Sequence, residues 1–297
     1  MAKSQTPLLG VLAVLLAAGL WGTTGTIQGL LPPARDPIAV AVFRLIIGAA
    51  ALVFFSLFSA RLRAGFFVLP LKQIAMASLA IGLYNLFFFS AVSMAGVGVG
   101  TAIAIGSGPV WVSLYEIVFH NRKPPPLQLL GQAICIAGAV ALVASNDLND
   151  GNTMGYLLAA LAGLAYATFS IITNQLSQGV PSASIAAATF TLAAVFTAPF
   201  LLVADTAWVG IGTLPPLLFL GLIVTGVAYY LFTFGVRAMS SSAAVTLALA
   251  EPLTAWLLAT FVLGEELTAL KIFGALILLA GLWIVSKSLP GRTLQNK

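Results

Sequence analysis

Three ionisable residues stand inside long apolar runs of this sequence: Arg44, Glu116 and Glu251. A charged side chain at mid-membrane costs roughly 2.5–3.5 kcal/mol on insertion scales, so each is a candidate for binding, ion coupling or an internal ion pair. Glu251 precedes Pro252, which removes a backbone donor and strains the carbonyl four residues back. Glu251 is the candidate proton carrier, and Arg44 is a candidate partner for it across the chain. Plainer roles exist for both: Arg44 as a cap on helix C-termini, Glu251 as a partner for backbone freed beside Pro252. Glu116 lies close to His120, Arg122 and Lys123, where a solvated or structural ion pair is expected.

Aromatic and polar residues gather at similar depths in these runs. Trp21, Tyr84, Tyr166 and Tyr229 fall well inside, with Asn85 beside Tyr84. Indole N–H and phenol O–H groups need partners there. Helix–helix hydrogen bonding would satisfy them. Lining a cavity would do so as well, and such a cavity, aromatic with a few polar groups, suits planar apolar solutes. Trp111, Tyr230 and Trp256 lie at comparable depths, whereas Trp208 sits in a loop and is expected at the membrane interface. Pro109 and Pro252 fall near the middles of their runs and are expected to break both helices. Irregular backbone at that depth is tolerated where it is buried in protein or lines a wet cavity.

Other chemistries are excluded. One Cys (Cys135) allows no intrachain disulfide, and one His (His120) allows no paired-His metal site. No phosphate-cradling GxxxxGK[ST] motif occurs, so no nucleotide, metal or other cofactor is expected. An integral-membrane enzyme would need a nucleophile with its base, or clustered acids, and the chain offers neither. Asp147 and Asp150 share a polar turn with Gly151 and Asn152, which is read as a solvated loop.

The elements that must position these residues are membrane helices. Of 297 residues, 60% are hydrophobic and 7% charged, which excludes a soluble enzyme, a nucleic-acid binder and a disordered chain. Apolar runs predict ten spans, at 8–28, 37–58, 73–93, 97–119, 127–144, 154–174, 183–203, 213–236, 243–263 and 269–287. With the N-terminus on one side, that side holds Lys3, Arg61, Arg63, Lys72, Arg122, Lys123, Arg237, Lys287, Arg292 and Lys297. The other side holds Arg35 and Lys271, together with Asp36, Asp147, Asp150, Asp205, Glu265 and Glu266. The positive-inside rule then puts both termini in the cytoplasm of a bacterial inner membrane. The first run resembles a signal peptide, but it continues to about Ile27, too long for one, and is read as a retained span.

The chain also repeats. At offsets of 143 to 145, Gly10 meets Gly155, Pro37 meets Pro181, Gly82 meets Gly226, Phe88 meets Phe232 and Pro109 meets Pro252. Gly131 with Gly274 and Gly138 with Gly281 continue without a gap. The halves are 1–146 and 147–297, of five spans each. Five is odd, so the second half enters the membrane inverted, as in secondary transporters with a midplane site. Gly25xxxGly29 and Gly96xxxGly100 are read as close helix approaches within one bundle, and the expected form is a monomer.

Trp21-Gly22, Arg44 and the stretch from Glu251-Pro252 through Trp256 to Gly264-Glu265-Glu266-Leu267, followed by Gly274 and Gly281, resemble EamA-type members of the drug/metabolite transporter superfamily. The first half departs from that pattern, with His120-Asn121-Arg122 where the second has Leu263-Gly264-Glu265. The resemblance implies an all-α polytopic membrane protein of ten helices with a substrate cavity between its halves. It also implies export of amino acids or other small metabolites without ATP. Within the superfamily the chain is most similar to the YddG-type exporters of aromatic amino acids. Broad-range drug or nucleoside export is the alternative. The expected site comprises Trp21, Tyr84, Asn85, Tyr166 and Tyr229, with Glu251 and Arg44 as coupling or ion-pair residues.

Overall fold

The computed structural model describes residues 7–58, 65, 68–121, 123–143, 152–262, 264 and 266–288. Among them every regular element is helical. Among the described residues nine helices are long and apolar enough to cross a membrane: Leu8–Gln28, Pro37–Leu57, Leu71–Ala95, Gly98–His120, Thr153–Leu176, Ser182–Leu202, Ile211–Val236, Ser241–Phe261 and Ala269–Ser288. Pro126–Val143 has 18 residues, roughly 27 Å of rise, at the lower edge of what crosses the hydrocarbon core. Numbered in chain order with Pro126–Val143 fifth, these are spans one to ten. Each lies within about two residues of its expected run. Lys3, Arg61, Arg63, Arg122, Asp147, Asp150, Glu265, Arg292 and Lys297 lie outside the described residues, as does the boundary between the halves.

Span ends follow local chemistry. Asp36 caps span two, its carboxylate accepting from Ile38 N at 2.7 Å and Ala39 N at 3.2 Å, with Pro37 opening the helix. Spans three and four are separated by Gly96 alone, at φ 82°, a left-handed conformation that costs glycine nothing. Span four ends on Asn121 at φ 49°, and Gly264, its counterpart at an offset of 143, has φ 74°. The Asn121 position that departs from the second-half sequence thus keeps its backbone, because Asn tolerates the left-handed region nearly alone among residues with a side chain.

The two central prolines behave differently. Span four runs as one helix from Val97 to His120 with Pro109 inside it, so the break expected there is absent. Pro109 withdraws one backbone donor without ending the helix, and the Ser107 hydroxyl donates to the Ala104 carbonyl one turn earlier. Span nine changes at Pro252: a helix Ser241–Leu247 gives way to a tighter turn Ala248–Ala250, and a second helix begins at Glu251. Further irregularities were not expected, among them a tighter stretch Ala198–Leu202 that ends span seven. Span one is interrupted at Thr23, whose hydroxyl donates to the Leu20 carbonyl at 2.6 Å. Span eight contains a π-helical stretch, Leu220–Val227, in which the Thr225 hydroxyl donates five residues back to the Leu220 carbonyl at 2.9 Å.

Small residues set the packing. Spans five and ten cross so closely that a Cβ on Gly138 would lie 2.5 Å from the Leu278 nitrogen, and one on Gly281 2.7 Å from the Cys135 nitrogen. Gly138 meets the Gly274 carbonyl, and Gly281 meets the Gly131 carbonyl. The contact is therefore reciprocal under the sequence repeat. Cys135, whose thiol approaches the Leu278 carbonyl at 3.9 Å, faces its own counterpart. Gly10 against Ala238 and Gly155 against Ala95 repeat the relation between spans one and eight and between six and three. Gly100 packs against Val92 within the bundle. Close backbone approach replaces the hydrophobic effect, which does not act between helices in lipid. Large apolar side chains such as Leu8, Leu12, Leu16, Phe54, Phe119 and Phe273 are left exposed on the outside, where the bilayer receives them.

Candidate functional site

Trp21, Tyr84, Asn85, Tyr166 and Tyr229 are all buried, and the four aromatic rings come together at the centre of the bundle. Trp21 of span one lies 4.8 Å from Tyr229 of span eight and 6.0 Å from Tyr166 of span six, the latter edge-on. Tyr84 of span three lies 5.4 Å from Tyr166. Both halves contribute: spans one and three from the first, six and eight from the second. Phe232, Phe169 and Phe190 complete the cluster. Phe232 is 5.5 Å from Trp21 and 5.7 Å from Tyr166, Phe169 is 6.2 Å from Phe190, and Phe190 is 4.5 Å from Tyr229. None of these three was singled out from sequence as a site residue. The usable signal was the repeat, which pairs Phe232 with Phe88, itself 5.5 Å from Tyr84.

The cluster carries polar atoms without partners. Trp21 Nε1, Asn85 Oδ1 and Tyr166 Oη are buried and make no hydrogen bond; further along span six the same holds for Ser170 Oγ and Thr173 Oγ1. Asn85 Nδ2 is taken by the Ile81 carbonyl of its own helix at 2.9 Å. Buried polar groups are nearly always satisfied, so these atoms are open to a further partner, as are those of Gln128, Thr189, Thr233 and Thr260 elsewhere in the bundle.

Arg44 and Glu251 are both buried. Arg44, 3% exposed, donates from Nε to the Thr225 hydroxyl in the π-helical stretch at 2.9 Å. Its guanidinium carbon lies 5.2 Å from the centre of the Phe89 ring, a cation–π distance. Glu251, 7% exposed, opens the second helix of span nine directly after the tighter turn, its backbone N–H donating to the Ala248 carbonyl. Its backbone packs on span one, and a Cβ on Gly22 would lie 2.7 Å from the Glu251 carbonyl oxygen. Among the described residues no ion pair joins Arg44 to Glu251; the bonded partner of Arg44 is Thr225.

Other candidates stand apart. Glu116 is half-buried one turn before His120. Tyr230 contacts Phe55 at 5.7 Å and Phe234 at 6.3 Å, away from the central rings. Trp208 donates from Nε1 to the Asp205 carbonyl in the loop between spans seven and eight. Trp111 and Trp256 are half-buried with unpartnered Nε1 atoms. Among the described residues no group of three His, Cys, Asp or Glu side chains is placed to hold a metal. A groove of about 530 Å³ between spans two and seven is lined by apolar side chains and Thr191, including the exposed Phe54 and Val195, and contains none of the expected site residues.

With this geometry established, the relatives are informative. The model of the EamA-like transporter family matches the chain twice, at residues 8–144 and 153–287. An uncharacterized transporter of Bacillus subtilis (strain 168), YwfM, is 35% identical over 279 residues, covering 93% of both chains. Two uncharacterized transporters of Archaeoglobus fulgidus are 25% and 22% identical over 194 and 191 residues, 62% of this chain and 65% of theirs. A solved crystal structure superposes with a TM-score of 0.81 at 19% identity, over 97% of this chain and 99% of that one, and supports the fold.

Proposed function

Because the chain belongs to the EamA-like transporter family, a family of multi-pass membrane transporters, we propose that it exports aromatic and other apolar amino acids by alternating access around the central aromatic cluster. The observation that carries this is the convergence of Trp21, Tyr84, Tyr166 and Tyr229 from both halves, with orphaned polar atoms among them. Planar side chains stack on such rings at about 0.5–1.5 kcal/mol per pair beyond area burial. In this proposal the halves, 1–146 and 147–297, rock about that site in a bacterial inner membrane with both termini cytoplasmic. The irregular backbone of spans one, eight and nine supplies the bending. Glu251 carries the coupling proton.

The test is uptake of a panel of labelled amino acids into proteoliposomes, with and without a pH gradient. Saturable flux of phenylalanine, tyrosine or tryptophan, driven by the gradient in the native protein and not in Glu251→Gln, supports the proposal. Gradient dependence retained by Glu251→Gln removes the proton from that residue. Saturable flux of nucleosides or cationic drugs in place of amino acids overturns the substrate class.

A further inference from the structure

The two halves are related by the sequence repeat, yet they are not packed alike. Spans four and nine are images of each other at an offset of 143. Span one begins on the inner side of the orientation proposed above, and on that side residues 241–250 of span nine are all buried. Their images, residues 98–107 of span four, lie on the outer side, where Gly98, Val99, Thr101, Ala102, Ile103 and Ser107 are half-buried. Span nine is as loose there: beyond Pro252 the helix Glu251–Phe261 buries no residue on any face. A helix with protein on one side and lipid on the other keeps one face buried, so this stretch borders open space as well. Gly106 is buried, and a Cβ added to it would meet nothing within 4 Å. The inner half of span nine packs on span four, whereas Glu251–Phe261 packs on spans one and five. Spans four and nine therefore meet on the inner side and part towards the outer.

The inner contact is hydrogen-bonded. Ser113 Oγ of span four lies 3.2 Å from Ser242 Oγ of span nine and donates to Gln132 Oε1 of span five at 3.2 Å. Its one proton goes to Gln132, so Ser242 is the donor to Ser113. All three side chains are buried. Nearer the midplane, a Cβ on Gly108 would lie 3.0 Å from Val245 Cγ1. Under the repeat Ser113 becomes Trp256, Ser242 becomes Val99 and Gln132 becomes Ala275. Those side chains supply one donor and no acceptor, so the outer image cannot form the same chain of bonds.

We propose that Ser113, Gln132 and Ser242 form the inner gate, a latch that joins the halves while the outer side is open and parts when the inner side opens. Trp256 then closes against Val99. Parting the latch gives up the Ser113–Ser242 bond, which the apolar image does not restore, so the resting protein is biased towards the outer-open state. This inference rests on the alternating-access reading above and assigns its moving contact.

Cys135 is the one cysteine, so a Cys135→Ala protein reports cleanly on introduced thiols. In that background Ser113→Cys with Ser242→Cys should cross-link on oxidation and lose uptake of labelled phenylalanine into proteoliposomes, and reduction should restore it. Complete cross-linking with uptake unchanged overturns the gate, and failure to cross-link overturns the contact on which it rests. A second measurement needs no substrate. In detergent, a water-soluble maleimide should modify Ala102→Cys faster than its image Val245→Cys. Adding Ser113→Ala should speed modification at Val245→Cys roughly threefold, as loss of one interhelical hydrogen bond implies, and leave Ala102→Cys no faster. Equal rates at the two positions overturn the asymmetry; acceleration at both, or at neither, overturns the latch. The expected labelling without phenylalanine flux sinks the substrate reading and spares the gate. Phenylalanine flux through the cross-linked protein does the reverse.

Discussion

Arg44 of span two and Thr225 of span eight join the two halves through one hydrogen bond of 2.9 Å, and the same Thr225 hydroxyl donates to the Leu220 carbonyl. A single side chain thus accepts from the buried guanidinium and donates to a carbonyl of its own helix. Thr225→Val should strand Arg44 Nε in a dry site and cost about 1–3 kcal/mol. Arg44→Met should cost less in the Thr225→Val background than alone. A double-mutant cycle on thermal unfolding in detergent measures the coupling, and strict additivity would show that the bond contributes nothing.

The crossing of spans five and ten predicts matched losses. Gly138→Ala and Gly281→Ala would each drive a methyl into backbone of the facing span, at 2.5 Å and 2.7 Å. Backbone cannot rotate away as a side chain can. Each variant should lose about 1–3 kcal/mol, read as a lower melting temperature, and by similar amounts because the contacts are reciprocal. Gly106→Ala, where an added Cβ meets nothing within 4 Å, is the control expected to melt as the native protein does.

Tyr166 separates stability from function. Its hydroxyl is buried without a partner, so Tyr166→Phe removes an unsatisfied polar atom and should leave the melting temperature unchanged or raised. If that hydroxyl serves a substrate, KM should rise about tenfold, the equivalent of ~1.4 kcal/mol. Transport kinetics beside a melting curve decide it; a variant native in both respects would remove Tyr166 Oη from the site.

Asp36 ties two loops as well as capping a helix. One carboxylate oxygen accepts from Ile38 and Ala39, and the other accepts from the Asp205 backbone at 3.0 Å. Asp36→Ala should cost about 1–2 kcal/mol through the lost cap. Asp36→Asn keeps a capping oxygen and loses the bond to Asp205, so its melting temperature should fall between the two.

The sequence made the spans legible because a bilayer tolerates nothing but long apolar runs at that depth, and the ends fell where Asp36, Gly96 and Asn121 supply caps and turns. Pro109 and Pro252 look equivalent in the sequence yet differ in the fold. Whether a proline ends a helix depends on what packs against the freed backbone, and that is tertiary. The π-helical stretch had no local signature for the same reason: Gly221 is shaped by Arg44 and Ile47 of span two, 174 or more residues away. In the site, Trp21, Tyr84, Tyr166 and Tyr229 stood out because each couples a ring to a polar tip. Phe169, Phe190 and Phe232 are as central but share the apolarity of their surroundings, so no contrast marked them. Arg44 stood out by charge, whereas Thr225 did not, since a threonine in a span ordinarily bonds its own helix.

The central claim is that substrate binds on the aromatic cluster. Replacing Trp111, Trp208, Trp256 and Trp283 with Phe leaves Trp21 as the single fluorophore among the five tryptophans. Titration of that variant with phenylalanine should change Trp21 emission saturably, with a midpoint matching the KM for flux in the same preparation. Saturable flux with unchanged Trp21 emission would contradict the claim.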